Sequence, residues 1–188
     1  MLLYSTFLLL SSYAFALAPT TPSTNLSVSN QDGNQFLLSF TAGDGAKRII
    51  IARAGSAVTA VPKNGVDYLA GAFGDGNEIS TGQFVVYEGS GASVWITGLS
   101  PATTYHFKVF EFNGSDFNTE YLTTSFLEGS GATLSAPTQQ AGDVVFSGVT
   151  GSGMALSWAK GNGAGRILVA REGSPVDVEP EDLKGYPS

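Results

Sequence analysis

The chain has 188 residues, 43% of them hydrophobic and only 13% charged, with 24 glycines and 8 prolines. That is apolar material enough for a core, which excludes disorder, and glycines scattered among short apolar runs favour a turn-rich β protein over a helical bundle. The net charge of −7, with no basic residue before Lys47 and no basic run, excludes nucleic-acid phosphates and anionic membrane surfaces as partners.

In chain order, the first feature is Met1–Ala18, MLLYSTFLLLSSYAFALA. It is too short for a comfortable membrane span of about 20 residues, and Ala14-Phe15-Ala16-Leu17-Ala18 offers two small-x-small cleavage patterns. The segment reads as a signal peptide (1–18), which places the mature chain outside the cell, secreted or at the surface. Its n-region lacks Lys and Arg, and Pro19 would follow a cut after Ala18; a cut after Ala16 avoids that junction.

From there the dominant period is two, the strand signature. Leu26 and Val28 alternate with serines, and Phe36, Leu38 and Phe40 alternate through the next run. Gly43-Asp44-Gly45 makes a turn, and Arg48 to Arg53 is an apolar run fit for a central strand. A long Gly-rich connection, 54–82, leads to Phe84–Glu88, then Val94 and Ile96, then Tyr105 to Phe112, and Gly129 to Leu134 closes the unit. About seven short strands in ~100 residues predict an all-β sandwich.

The unit repeats. Sliding the sequence by 118 residues superposes 19–70 on 137–188 without a gap and with 18 identities in 52 positions. Gly43 and Gly45 meet Gly161 and Gly163, Arg53 meets Arg171, Phe40 meets Trp158, and Ile49-Ile50-Ile51 meets Ile167-Leu168-Val169. A whole domain is thus the repeating unit, too long for a solenoid. The expected division is a complete domain at 19–136 and a partial second copy, N-terminal strands only, at 137–188.

Gly98-Leu99-Ser100-Pro101-Ala102-Thr103-Thr104-Tyr105 resembles the Leu-x-Pro-x-Thr-x-Tyr signature that enters strand F of fibronectin type III domains. Phe107 and Val109 in alternation, then Asn113-Gly114-Ser115, are similar to that strand and the loop after it. Phe40 and Trp158 stand where the family usually has Trp. The resemblance implies an immunoglobulin-like, fibronectin type III β-sandwich, a tandem repeat with its second copy truncated. It also implies structural roles for Leu99, Pro101, Phe40 and Trp158, and a tyrosine corner at Tyr105. The long 54–82 form looks like modules of secreted, multidomain proteins from Bacteroidetes-type bacteria, where such modules tend to be spacers.

Chemistry-bearing residues are sparse. There is no cysteine, hence no disulfide, thiolate metal site or cysteine nucleophile. The one histidine, His106, falls on the outer face beside Lys108, where a solvated strand histidine is expected rather than a triad member. The Gly-x-Gly sequences lack a following helix and read as turns. No cofactor and no catalysis are expected. Asp75, Asn77 and Glu78, with Asp67 upstream, form a weak calcium candidate, because Gly-bent, oxygen-rich loops suit a cation that takes 6–8 oxygens; simple turn chemistry is the competing reading.

Glu111 falls on the inward side, where solvent at the strand end, Arg53 or Arg48 could satisfy it. Phe110 and Phe112 fall on the outer face with His106 as a possible contact face. They are covered by 54–82, packed against another domain, or exposed as a glycan platform; cover is the leading expectation. The function expected is a non-enzymatic spacer or protein-interaction module. Its partners are other domains of the same longer chain and a protein or polysaccharide ligand; the alternative is an ancillary carbohydrate-binding module of a secreted glycoside hydrolase.

Overall fold

The computed structural model describes residues 16–163 and 165–181. Most of the expected signal peptide (1–15) and the repeat's last match, Tyr186, lie outside the described residues.

Among the described residues eleven strands follow in order. They are β1 (Thr24–Ser29), β2 (Phe36–Thr41), β3 (Lys47–Ala54), β4 (Glu78–Ser80), β5 (Gln83–Gly89), β6 (Ser93–Ile96), β7 (Thr104–Asn113), β8 (Glu120–Tyr121), β9 (Leu127–Ala132), β10 (Gly142–Ser147) and β11 (Ala155–Ala159). A short 3-10 helix spans Asp116–Asn118. A three-stranded sheet, β1-β2-β6, faces a larger one ordered β4-β5-β3-β7-β8, with β9 also paired to β7. All pairs are antiparallel. Three strands over β5-β3-β7-β9 make a seven-stranded sandwich, and the short β4 and β8 extend its larger sheet.

Phe36, Leu38 and Phe40 from β2 meet Ile50, Ala52, Tyr105, Phe107 and Val109 from the larger sheet, with Ile96 and Leu99 alongside. Phe36 and Phe107 pack edge to face at 5.7 Å, a geometry that adds roughly 0.5–1.5 kcal/mol beyond simple burial. β3 is buried on both faces. Ile50 and Ala52 point into the sandwich, while Ile49 and Ile51 join a second cluster on the far side of the same sheet with Val58, Ala60, Val85, Phe110, Phe112 and Tyr121. A strand covered on both sides has no reason to alternate, which explains the unbroken run Ile49 to Ala52.

β9 begins at Leu127, two residues earlier than the Gly129 expected from sequence. Its glycines matter for closure. A side chain at Gly129 would come within 2.9 Å of Leu26, and one at Gly131 within 2.8 Å of Val28. β1 therefore crosses the glycine strip of β9 and closes that edge of the sandwich.

The loop before β7 is fixed by Tyr105, which is fully buried. Its hydroxyl accepts the Ser100 N–H at 2.8 Å, with Phe73 edge-on at 4.9 Å. Leu99 is buried beside it, whereas Pro101 is exposed and shapes the turn, its carbonyl accepting the Thr103 hydroxyl at 2.9 Å.

In the second unit, β10 and β11 repeat β1 and β2 residue for residue. Thr24↔Thr41, Ser27↔Ser39, Val28↔Leu38 and Ser29↔Leu37 become Gly142↔Ala159, Val145↔Ser157, Phe146↔Leu156 and Ser147↔Ala155, each shifted by 118. The irregularity near the start of the strand recurs, as does the left-handed residue that makes it, Asn25 (φ 56°) in one unit and Asp143 (φ 52°) in the other. Burial does not recur. Phe40 is 7% exposed and its counterpart Trp158 is 40% exposed.

Tyr105→Phe is expected to destabilise the first unit by about 1–3 kcal/mol, because the Ser100 N–H loses its buried acceptor. Urea unfolding measures this, and a change below about 0.3 kcal/mol would show that the loop does not depend on the hydroxyl.

Candidate functional site

Glu111 and Arg48 lie opposite one another on β7 and β3. Both are buried; their side chains are 0% and 4% exposed. Arg48 Nη2 and Nε donate to Glu111 Oε2 at 3.1 and 3.3 Å. Oε1 accepts the Gly43 N–H at 2.9 Å and the Ser23 hydroxyl. The remaining guanidinium hydrogens go to backbone carbonyls, Gly45 at 3.0 Å, Gly91 at 3.2 Å, and Ser90. Side chains at Gly43 or Gly45 would stand 2.9 and 2.7 Å from the glutamate, so the two glycines form the notch that holds it. Of the partners expected for Glu111, Arg48 is the one found. Arg53 instead donates to the Ala57 carbonyl at 3.1 Å.

Asp44, between those glycines, clasps the entry to the unit. Its carboxylate accepts the N–H groups of Thr20 and Thr21 at 3.0 and 2.9 Å and the Thr20 hydroxyl at 2.7 Å. Hydrogen bonds from Thr21 first, then Thr20, hold its carboxyl below the usual value of 3.8. Asn162 repeats the clasp, accepting Thr138 and Gln139 N–H at 3.1 and 3.0 Å.

Phe110 and Phe112, taken from sequence as part of a possible contact face, are buried. Val58 and Ala60 of the 54–82 connection, Tyr121 of β8 and Phe126 cover them, so neither ring is a surface platform. The cover is pinned by polar groups. Gln83 Oε1 accepts the N–H groups of Thr59 and Ala60 at 2.7 and 2.8 Å. Asp67 accepts the Asp116 N–H at 2.8 Å and the Thr119 hydroxyl. Burial first, then the Asp67 charge, pushes the Tyr121 phenol far above its ordinary range.

His106 is half-buried on the outer face, in a shallow groove with Lys108, Glu128 and Ser130. Lys108 caps the Phe126 ring at 4.1 Å. The calcium candidates are engaged in turns. Asn77 Oδ1 accepts the Leu69 N–H and Glu78 Oε1 the Gly82 N–H, both at 2.7 Å. Asp67 serves the helix at 116–118 rather than this loop. Among the described residues no three His, Asp or Glu side chains converge to hold a metal. The exposed aromatics of the first unit, which the sequence reading did not single out, are Trp95 on β6 and Phe117 on the 3-10 helix. Period-two counting along β6 could have turned Trp95 outward, since Val94 and Ile96 face the core.

No protein-family model and no curated protein matches the chain. Among solved structures it is similar to a computationally redesigned β-sandwich protein, at 16% identity over 61% of this chain and 95% of that one, TM-score 0.41. It is similar to a fibronectin type III domain of human collagen XX, at 22% identity over 65% and 100%, TM-score 0.37. The sixth such domain of human fibronectin type III domain containing protein 3 gives 16% identity over 65% and 92%, TM-score 0.39. Likenesses of this degree carry nothing about activity or ligand. The β-sandwich class stands on the chain's own strand order and cores.

Glu111→Gln is expected to destabilise the first unit by about 3–5 kcal/mol in urea unfolding, because a buried guanidinium is left unneutralised. Arg48→Met with Glu111→Leu should cost clearly less than the two single changes summed, and additivity would show that the backbone bonds outweigh the charge pairing. A depressed carboxyl contributes stability above its unfolded value and loses it as pH falls through the folded one. The Thr20 and Thr21 amide resonances should therefore titrate with a midpoint below 3.8, while those of Thr138 and Gln139, held by an amide, stay flat. A midpoint at or above 3.8 would remove the clasp from solution.

Proposed function

We propose that the chain is a non-catalytic spacer and protein-interaction segment of a larger secreted or surface protein, built from fibronectin type III-like units in tandem. The observation that carries this reading is the joint. The Leu134 N–H still donates into the first unit, to Asp32 at 2.9 Å, and the Thr138 N–H already donates into the second. Only Ser135-Ala136-Pro137 lies between, at most about 10 Å of chain at 3.3–3.6 Å per residue. Pro137 further restricts the backbone, and the Asn162 clasp fixes its direction of entry. A joint this short transmits orientation from unit to unit, as a spacer requires.

The resemblance of the long 54–82 form to modules of secreted, multidomain Bacteroidetes-type proteins supports an extracellular place, as does the N-terminal Met1–Ala18 segment. In the first unit the carbohydrate-binding alternative has Trp95 and Phe117, which sit on different elements.

Two measurements test the reading. Backbone 15N relaxation should give both units one rotational correlation time, and inserting four Gly/Ser residues after Ser135 should separate the two values. Different values in the parent chain would overturn the stiff joint. Pull-down on cellulose, xylan and chitin should show no saturable retention; retention abolished by Trp95→Ala or Phe117→Ala would favour the carbohydrate reading instead.

A further inference from the structure

The smaller sheet of the first unit, β1-β2-β6, ends on β6, and among the described residues no strand pairs with the outer edge of Ser93–Ile96. The direction of the backbone groups on that edge follows from β2. The Phe40 N–H donates to the Ala92 carbonyl at 3.0 Å. An antiparallel ladder alternates, so Ala92, Val94 and Ile96 turn their N–H and C=O groups toward β2, while Ser93 and Trp95 turn theirs away. Thr97 is next in the outward series, and its carbonyl accepts the Phe73 N–H at 2.9 Å, as the alternation requires. Past Phe73 the chain turns back on itself, the Asp75 N–H donating to the Ala72 carbonyl at 2.9 Å. Ser93 and Trp95 are thus left exposed. Edge strands are commonly guarded by charge or proline, and Ser93-Val94-Trp95-Ile96 has neither. The outward side chains of the sheet are Ser27, Ser29, Leu37, Ser39, Ser93 and Trp95, again without charge. Trp95 stands 48% exposed beside half-buried Leu37, its cross-strand neighbour.

We propose that β6 is a self-association edge, pairing antiparallel with β6 of a second copy about a twofold axis through Val94. In that register Ser93 of each copy faces Trp95 of the other, and Val94 faces its own counterpart. Ser93 and Trp95 offer two N–H and two C=O groups per copy, and the four bonds formed across the axis use all of them. An axis through Trp95 would call instead on the Thr97 carbonyl, which Phe73 already occupies. The joined sheet runs β1-β2-β6-β6-β2-β1, and each Trp95 ring lies over Ser93 and toward Ser39 of the second copy. A second copy is favoured over an unrelated strand because the free groups are self-complementary under the twofold and the pairing sets no charge against its like. A four-residue strand makes a small contact, so the dimer is weak and reversible. The net charge of −7 on each copy opposes it, and salt relieves that repulsion. The inference is independent of the spacer reading, since the joint at 135–137 takes no part in it.

Sedimentation of the full chain should show a monomer–dimer equilibrium that strengthens with added salt. Trp95→Lys and Ser93→Pro should each weaken it about tenfold or more, the first by guarding the edge with charge and the second by deleting two of the four donors. Neither residue bonds β2 through its backbone, and Trp95→Lys, at an exposed position, keeps the test open if Ser93→Pro unfolds. Register is read with cysteine, of which the chain has none. Val94→Cys should oxidise to a linked dimer, because facing residues of a non-hydrogen-bonded pair lie about 4.5 Å apart at Cα, within disulfide range. Ser27→Cys, exposed on β1 two strands from the edge, should stay unlinked under the same oxidant. The proposal is overturned by a chain that stays monomeric, by a dimer that either variant, still folded, leaves unchanged, by one that weakens as salt rises, or by equal linking of the two cysteine variants.

Discussion

A carboxylate with no access to water must find all of its partners inside the protein, and the rest of this sandwich is arranged around that requirement. Glu111 gathers the chain before β1 through Ser23, the β2–β3 turn through Gly43, and β3 through Arg48. Arg48 extends the set to the β5–β6 turn through Ser90 and Gly91. One ion pair thus registers both sheets at one end of the molecule. Such pairs contribute little net stability relative to a well-packed apolar substitute, since desolvation offsets attraction. What they specify is alignment: any slip that separates Arg48 from Glu111 leaves two buried charges uncompensated. Six residues earlier on β7, Tyr105 anchors the opposite end through Ser100. At about 3.4 Å per residue these anchors hold some 20 Å of the central strand.

With β7 so fixed, Phe110 and Phe112 necessarily project from the back of the larger sheet, and a second layer has to cover them. The 54–82 connection does so with small contacts, Val58 and Ala60, and is held by side chains reaching out from the body. Gln83 serves two amides in one stretch, and Asp67 ties another to the turn after β7. A loop of this length stays packed because polar groups inside it are paired with the sheet rather than left to water. The shallow groove holding His106 is the gap between this cover and β9.

Sequence reading located the strands that alternate and the one that does not, because β2, β6 and the first half of β7 bury one face and β3 buries two. It also placed Tyr105 at the start of β7 and Glu111 on its inward side. β4, β8 and the 3-10 helix were not legible. They are two or three residues long, below any period, and exist because the connection needs somewhere to pair. The choice of Arg48 over Arg53 for Glu111 was equally hidden, since both lie on β3. Register decides it: Arg48 faces Glu111, while Arg53 faces His106. Asn77 and Glu78 carry the side chains a cation would want, and only their geometry shows that backbone N–H groups already occupy them.

The two units separate what the chain encodes locally from what it encodes at a distance. Everything that recurs between them is made within about 24 positions in sequence: the clasp from Asp44 or Asn162, the left-handed residue at 25 or 143, the β1–β2 register, the arginine bond to Gly45 or Gly163. What differs depends on partners far along the chain, β5 and β7 beside β3 and β6 beside β2. Short-range hydrogen bonds close small loops at little entropic cost, so they form wherever their residues are present. Burial of an isoleucine row requires a second surface, and that surface comes from far along the chain. Phe40 and Trp158 are therefore the same position in two circumstances. The difference between 7% and 40% exposure measures what the long-range partner contributes beyond local sequence.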